Sequence, residues 1–246
     1  MDMIRARYFL TDWFPTLQTY SSLNTEILNV MCSQEILKGD DMNPKNWYRE
    51  CGDSIRAEFG ADSELFIDLL AATSPRKQIT TNWRLAMRVY HVWNSIGDHK
   101  DWFFRCYATG KNYPKDSDFV VLRKNLFKGT LPAHRPNIIR AFKREPLSGN
   151  KVRAFAANLK GNLDEVTIDV WVCRYFGWDD KKSMTNKVYT ERADCIRHYA
   201  KAVGKKPAEF QAEIWYEAIR AAGKKPQSYL SVKHRHQMYF EFFMEV

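Results

Sequence analysis

The feature that most constrains this chain is a helical period of apolar residues that returns in segment after segment, most of them closed by a glycine. Ser63–Thr73 reads SELFIDLLAAT, with Leu65, Phe66, Leu69 and Leu70 on one face and Asp62 in position to cap it. Residues 81–96 carry Trp83, Ala86, Tyr90 and Trp93 at the same spacing and stop at Gly97, and residues 117–127 stop at Gly129. Pro136 suits the first turn of a short helix holding Ile138, Ile139 and Phe142. Helix resumes over 151–159 after the turn Pro-Leu-Ser-Gly-Asn. Three more segments follow: 169–176 to Gly177, 190–203 to Gly204, and 207–222 to Gly223. No set of alternating strands competes, and no repeat or low-complexity linker breaks the series. The pattern predicts an all-α fold.

Length and composition then narrow the class. A chain of 246 residues, 45% hydrophobic and 14% aromatic, has enough apolar material for one sizeable domain, or one domain in two lobes. Most of the helical stripes, tryptophans included, read as core. No apolar run reaches the ~18 residues of a membrane span, and the N-terminal stretch lacks the apolar core of a signal peptide. The expectation is a cytoplasmic monomer with no membrane contact. Five cysteines, at 32, 51, 106, 173 and 195, are widely separated and form no CxxC pair. Neither a disulfide framework nor a metal site is expected, and no cofactor. The histidines in Lys233-His234-Arg235-His236 are two apart, which suits a solvated basic tail better than zinc ligation.

The net charge is +9, which favours a polyanionic partner, nucleic acid above all. Its distribution sharpens that expectation. Between residues 133 and 160 stand Arg135, Arg140, Lys143, Arg144, Lys151, Arg153 and Lys160 against the single acid Glu145. This basic excess surrounds the turn Pro146-Leu147-Ser148-Gly149-Asn150-Lys151. A glycine there admits positive φ and lets a phosphate approach the backbone, and the next helix would present its first amides at its positive end. Taken alone, this is also what an ordinary helical turn looks like. Asp169, in Val-Thr-Ile-Asp-Val-Trp-Val, is an acid among apolar neighbours at a predicted helix start. By itself it reads as an N-cap worth about 1 kcal/mol.

The interval between the two features carries more. Asp169 follows Lys151 by eighteen residues, across one helix and a Gly161-Asn162 loop. Pro146, Gly149, Lys151 and Asp169 in this arrangement resemble the helix-hairpin-helix DNA glycosylase superfamily, whose best-known member is endonuclease III. Its motif runs L-P-G-V-G-R-K, then a helix, then V-D-T-H-V. Leu147 stands where the family has its first hairpin glycine. Leu69-Leu70-Ala71-Ala72-Thr73-Ser74, followed by Asn82 and Ala86, resembles the family's L-L-S-A-Q and N-K-A stretch, with Thr73 or Ser74 where relatives carry glutamine. The resemblance covers about residues 58–220, leaving 1–50 and 225–246 unassigned. It implies a single two-lobed helical glycosylase domain over 1–246 without the family's iron–sulfur cluster, in a branch similar to phage-associated or antiphage modified-base enzymes.

What the resemblance implies for function is hydrolysis of an N-glycosidic bond after base flipping. Asp169 would be the catalytic carboxylate, and Lys151 either a nucleophile forming a Schiff base or a cation that only holds phosphate. Ser148, Gly149, Asn150, Lys151 and Arg153 would contact DNA, as would Ser74 and Arg76. Thr73, Asn82 and Trp171 would line the base pocket. Two other functions share these residues: replacement of pyrophosphate on hydroxymethyluracil by an enzyme of the same fold, and a non-catalytic DNA-binding module in which Asp169 only caps its helix.

Overall fold

In the computed structural model the described residues are 43–108, 118–180 and 184–230. They are helical, with no strand among them: α1 Trp47–Phe59, α2 Ser63–Thr73, α3 Ile79–Ser95, α4 Lys100–Ala108, α5 Asp118–Leu126, α6 Arg135–Phe142, α7 Asn150–Leu159, α8 Val170–Tyr175, α9 Asn186–Ala202 and α10 Pro207–Ala221. The all-α expectation holds. Gly97, Gly129, Gly177, Gly204 and Gly223 take positive φ close behind the helices they were expected to stop. The basic run at 233–236 lies outside the described residues.

The described residues divide into two compact units, one drawn from 43–48 and 161–226 and the other from 49–160 and 227–230. In the second unit α2 is the centre. Leu65 through Thr73 are buried without a break, because SELFIDLLAAT is apolar around most of its circumference and such a helix is stable only when enclosed. It packs against α3, α6 and α7. Phe66 stacks on Phe59 with centroids 3.8 Å apart and meets Trp83 edge-on at 5.0 Å. A second aromatic group joins Trp93 to Phe142, stacked at 3.9 Å, with Phe103 against both. Helix α1 closes on α7 through Gly52, where a Cβ would come 2.3 Å from the Leu159 carbonyl oxygen, so no larger residue fits.

In the first unit α8, α9 and α10 enclose Val166, Ile168, Val172, Tyr189, Ile196, Phe210 and Ile214. The Pro44–Asn46 turn packs on α10, and Tyr48 donates to Gln211 Oε1 at 2.7 Å.

Three local expectations are corrected. Asp62 sits at the start of α2 but makes no capping bond, because the Gly60–Asp62 turn leads straight into the helix and holds Asp62 near φ −90°, ψ 0° rather than extended. Its carboxylate instead accepts from the Tyr90 hydroxyl at 2.9 Å and pairs with Arg144 at 3.7 Å. Helix α9 begins at Asn186 rather than 190, because Thr185 caps it by accepting from the Val188 amide. Finally, α1 and α4 are helices where none was expected.

Candidate functional site

The turn between α6 and α7 is held from within its own unit. The Asn137 side chain grips Ser148 twice: its Nδ2 donates to the Ser148 carbonyl at 3.0 Å and its Oδ1 accepts from the Ser148 amide at 2.7 Å. Arg140 donates to the Pro146 carbonyl at 3.2 Å, and Leu147 is buried. Leu147 therefore faces inward and anchors the turn. Gly149 is the N-cap of α7 at φ 89°, ψ 130°, exposed and with nothing within 4 Å of where a Cβ would stand. The glycine serves the backbone conformation, and the space over it is open. Gly149 has no side chain with which to cap α7, and the first-turn amides of a helix lack the intrahelical acceptors of later turns.

Part of the basic surplus around this turn is already neutralised. Arg140 and Lys143 approach Glu145, Arg144 pairs with Asp62, and Lys160 binds Asp68 at 2.8 Å. Arg135, Lys151 and Arg153 are left without an acidic partner among the described residues: Lys151 makes no hydrogen bond or ion pair there, and Arg153 donates to Asn150 Oδ1 at 2.7 Å. Ser148 and Arg153 are exposed, with Asn150 and Lys151 half-buried beside them.

Asp169 belongs to the other unit and is the N-cap of α8. Its Oδ1 accepts from the Trp171 amide at 2.9 Å and the Val172 amide at 3.0 Å. The second carboxylate oxygen, Oδ2, accepts no hydrogen bond among the described residues. The backbone leading into it is fixed by a residue that the sequence did not single out. The Tyr189 hydroxyl donates to Val166 O at 2.7 Å and accepts from the Ile168 amide at 3.3 Å. The signal for Tyr189 was weak, because it sits in the early part of α9 that the apolar period alone did not reach.

Trp171 is half-buried, with the Arg174 guanidinium 4.9 Å and the Lys224 ammonium 5.1 Å from its ring centroid. Cations over an indole are attracted by its electron-rich face, and Arg174 is also bound to Asp180 at 2.7 Å.

The remaining candidates lie deeper. Thr73 and Asn82 are buried and joined to each other: Thr73 Oγ1 donates to Asn82 Oδ1 at 2.7 Å. Asn82 Nδ2 donates to Leu70 O at 3.1 Å and to the Tyr229 hydroxyl at 2.8 Å. As described, this pair ties α2 to α3 and to the residues around Tyr229, and neither side chain faces an open surface. Ser74 is buried and turns its hydroxyl back to Ala71 O, whereas Arg76 is exposed at φ 59° in the loop that follows. That loop is anchored by His134, also passed over in the sequence. Its Nε2 donates to Pro75 O at 2.9 Å while Nδ1 accepts from the Leu131 amide at 3.3 Å. Burial pushes its pKa below the ordinary 6.5, as expected for an imidazole whose neutral form satisfies both partners.

Among the described residues no group of three or more His, Cys, Asp or Glu is arranged to hold a metal, and no helix is long and apolar enough to cross a membrane. Among the described residues Cys51, Cys106, Cys173 and Cys195 form no disulfide.

The fold and these residues define an all-helical protein with a glycine-capped basic turn in one unit and a helix-capping aspartate in the other. The chain belongs to the family of unknown function DUF7178, whose model matches residues 22–222 and so spans both features. No curated protein and no solved structure matches it.

Proposed function

We propose that this protein is a DNA glycosylase of the helix-hairpin-helix type, hydrolysing the N-glycosidic bond of a flipped, modified base with Asp169 as its carboxylate. The observation that carries the reading is the state of Asp169. One oxygen is committed to two backbone amides, which fixes the side chain, and the other accepts no hydrogen bond among the described residues. A carboxylate that only caps a helix needs one oxygen. Here the other oxygen stays open to a ligand, eighteen residues after a lysine that has no acidic partner among the described residues.

The chemistry follows from that arrangement. As the bond from C1′ to the base nitrogen breaks, its electron pair leaves with the base, and positive charge develops on the sugar. A fixed carboxylate oxygen stabilises that charge without reorganising. Water then bonds to C1′, its proton passes through Asp169 to solvent, and the departing base takes up a proton. The turn at Gly149, with Lys151 and Arg153, holds the strand by its phosphates without reading sequence. In this reading Lys151 is a phosphate-binding cation and water is the nucleophile.

The test is incubation of the protein with duplexes carrying unmodified, damaged, hydroxymethylated and glucosylated hydroxymethylated pyrimidines, with released base identified by mass spectrometry. Release of one free base with a matching abasic site is the expected result. Borohydride present during turnover should leave no covalent adduct. Trapping at Lys151 would replace the hydrolytic route with a Schiff-base one, and no release from any duplex would reject the glycosylase reading.

A further inference from the structure

Two stretches of the chain contain no acidic residue at all: residues 69–97, with Arg76, Lys77, Arg84 and Arg88, and residues 119–144, with Arg123, Lys124, Lys128, Arg135, Arg140, Lys143 and Arg144. The second unit brings them together at one turn. Lys77 Nζ reaches the Gly129 carbonyl at 3.5 Å, and Arg88 Nη2 donates to the Lys128 carbonyl. Just past that turn, His134 joins the Leu131 amide to Pro75 O. The Arg135 guanidinium lies 5.5 Å from the Phe127 ring centroid. Lys77, Arg88 and Arg135 therefore meet the turn 127–130, which itself carries the exposed Lys128, and none of the four has a carboxylate partner among the described residues.

Elsewhere the chain pairs its cations readily, as in Lys160 with Asp68, Arg174 with Asp180 and Lys205 with Glu213. Here it does not. The Nε atoms of Arg88 and Arg135 are buried without a hydrogen-bond partner among the described residues, and burial presses the Arg88 guanidinium below its ordinary pKa. Like charges gathered without counter-ions repel one another, and a ligand anion relieves that repulsion. The surface is reachable, because Lys128, Gly129, Pro132 and Ala133 are exposed.

We infer that the 127–130 turn, with its own Lys128 and with Lys77, Arg88 and Arg135 against it, is a second contact for DNA backbone phosphates, separate in sequence from the turn at Gly149. The inference rests on the DNA-binding reading above. Such a contact adds affinity and orientation but no base discrimination, since phosphates are alike along the duplex.

The experiment measures affinity of the full chain for a fluorescent duplex of arbitrary sequence across a salt series. It compares wild type, Lys77→Gln/Lys128→Gln, the charge-keeping Lys77→Arg/Lys128→Arg and, for the other turn, Lys151→Gln/Arg153→Gln. Thermal melts check that each variant is folded. If both lysines meet phosphates, the first Gln pair flattens the slope of log affinity against log salt by about 1.8, at ~0.9 per phosphate. The Arg pair should retain the wild-type slope. A folded first Gln pair with the wild-type slope overturns this inference while DNA binding itself stands. A wild type that does not bind duplex DNA rejects both the DNA-binding reading and the second contact.

Discussion

At the scale of single residues, Asp169 separates two roles that usually hide each other. Its Oδ1 caps α8 through the Trp171 and Val172 amides, and an asparagine can accept the same two bonds. Asp169→Asn is therefore expected to stay within about 1 kcal/mol of wild-type stability, to bind DNA within a few-fold, and to release no base. Full base release by a folded Asp169→Asn protein would remove this residue from the chemistry. His134 yields a prediction of a different kind. Its folded pKa lies below 6.5, so between those two values the unfolded chain binds more protons than the native one. Its contribution to stability is complete above pH 6.5 and is lost as the pH falls through the folded value. Urea midpoints should fall from pH 7 to pH 5, and more steeply in wild type than in His134→Gln. Parallel pH profiles would show that His134 does not titrate in this way.

At the scale of elements, the turn before α7 shows why a glycine can be required with open space around it. Gly149→Ala meets no neighbour, but it places an L side chain at φ 89°, ψ 130°. We expect a loss of about 1–3 kcal/mol from backbone strain, read as a lower denaturant midpoint. An unchanged midpoint would mean that the turn relaxes elsewhere. The sequence already showed this turn, because a proline, a glycine and a basic run sit between two apolar stripes. It showed α2 and the start of α8 for related reasons: one is apolar on nearly every side, and the other opens with an acid before a hydrophobic run. It did not show α1, whose buried positions are Trp47, Tyr48, Cys51, Gly52 and Ile55. Two of those five are small, and what selects Gly52 is the distant Leu159 carbonyl, which no local window contains. The same limit applies to Tyr189 and His134. Each acts on backbone from a separate element, so its role exists only once the chain has folded. The lack of acids in 69–97 and 119–144 was legible, whereas their meeting at one turn was not.

At the scale of the whole molecule, neither unit is a continuous piece of chain, and residues 227–230 return to complete the unit that begins at Arg49. Tyr229 is the centre of that return. It is buried against Trp83 and Phe155, with centroids 5.8 Å and 6.4 Å away, and its hydroxyl accepts from Asn82 Nδ2. The backbone of Tyr229 and Leu230, with Ser228, also covers Cys51, whose thiol burial pushes up to about 12. Two substitutions divide these contributions. Tyr229→Phe keeps the ring but leaves a buried amide proton of Asn82 without its acceptor, at a cost of about 1–3 kcal/mol. Tyr229→Ala also removes the ring and opens a cavity, at about 3–5 kcal/mol by analogy with other large aromatic truncations. Denaturant melts measure both, and peptide mapping after treatment with a thiol reagent at pH 8 reports on Cys51 alone. In wild type Cys51 should stay unmodified, being both covered and protonated. Tyr229→Phe should leave that protection nearly intact, whereas Tyr229→Ala should make Cys51 reactive, because loss of the ring loosens the segment that covers the thiol. If Cys51 is equally protected in all three proteins, residues 227–230 are held by contacts other than Tyr229, and the closure of this unit does not depend on that side chain.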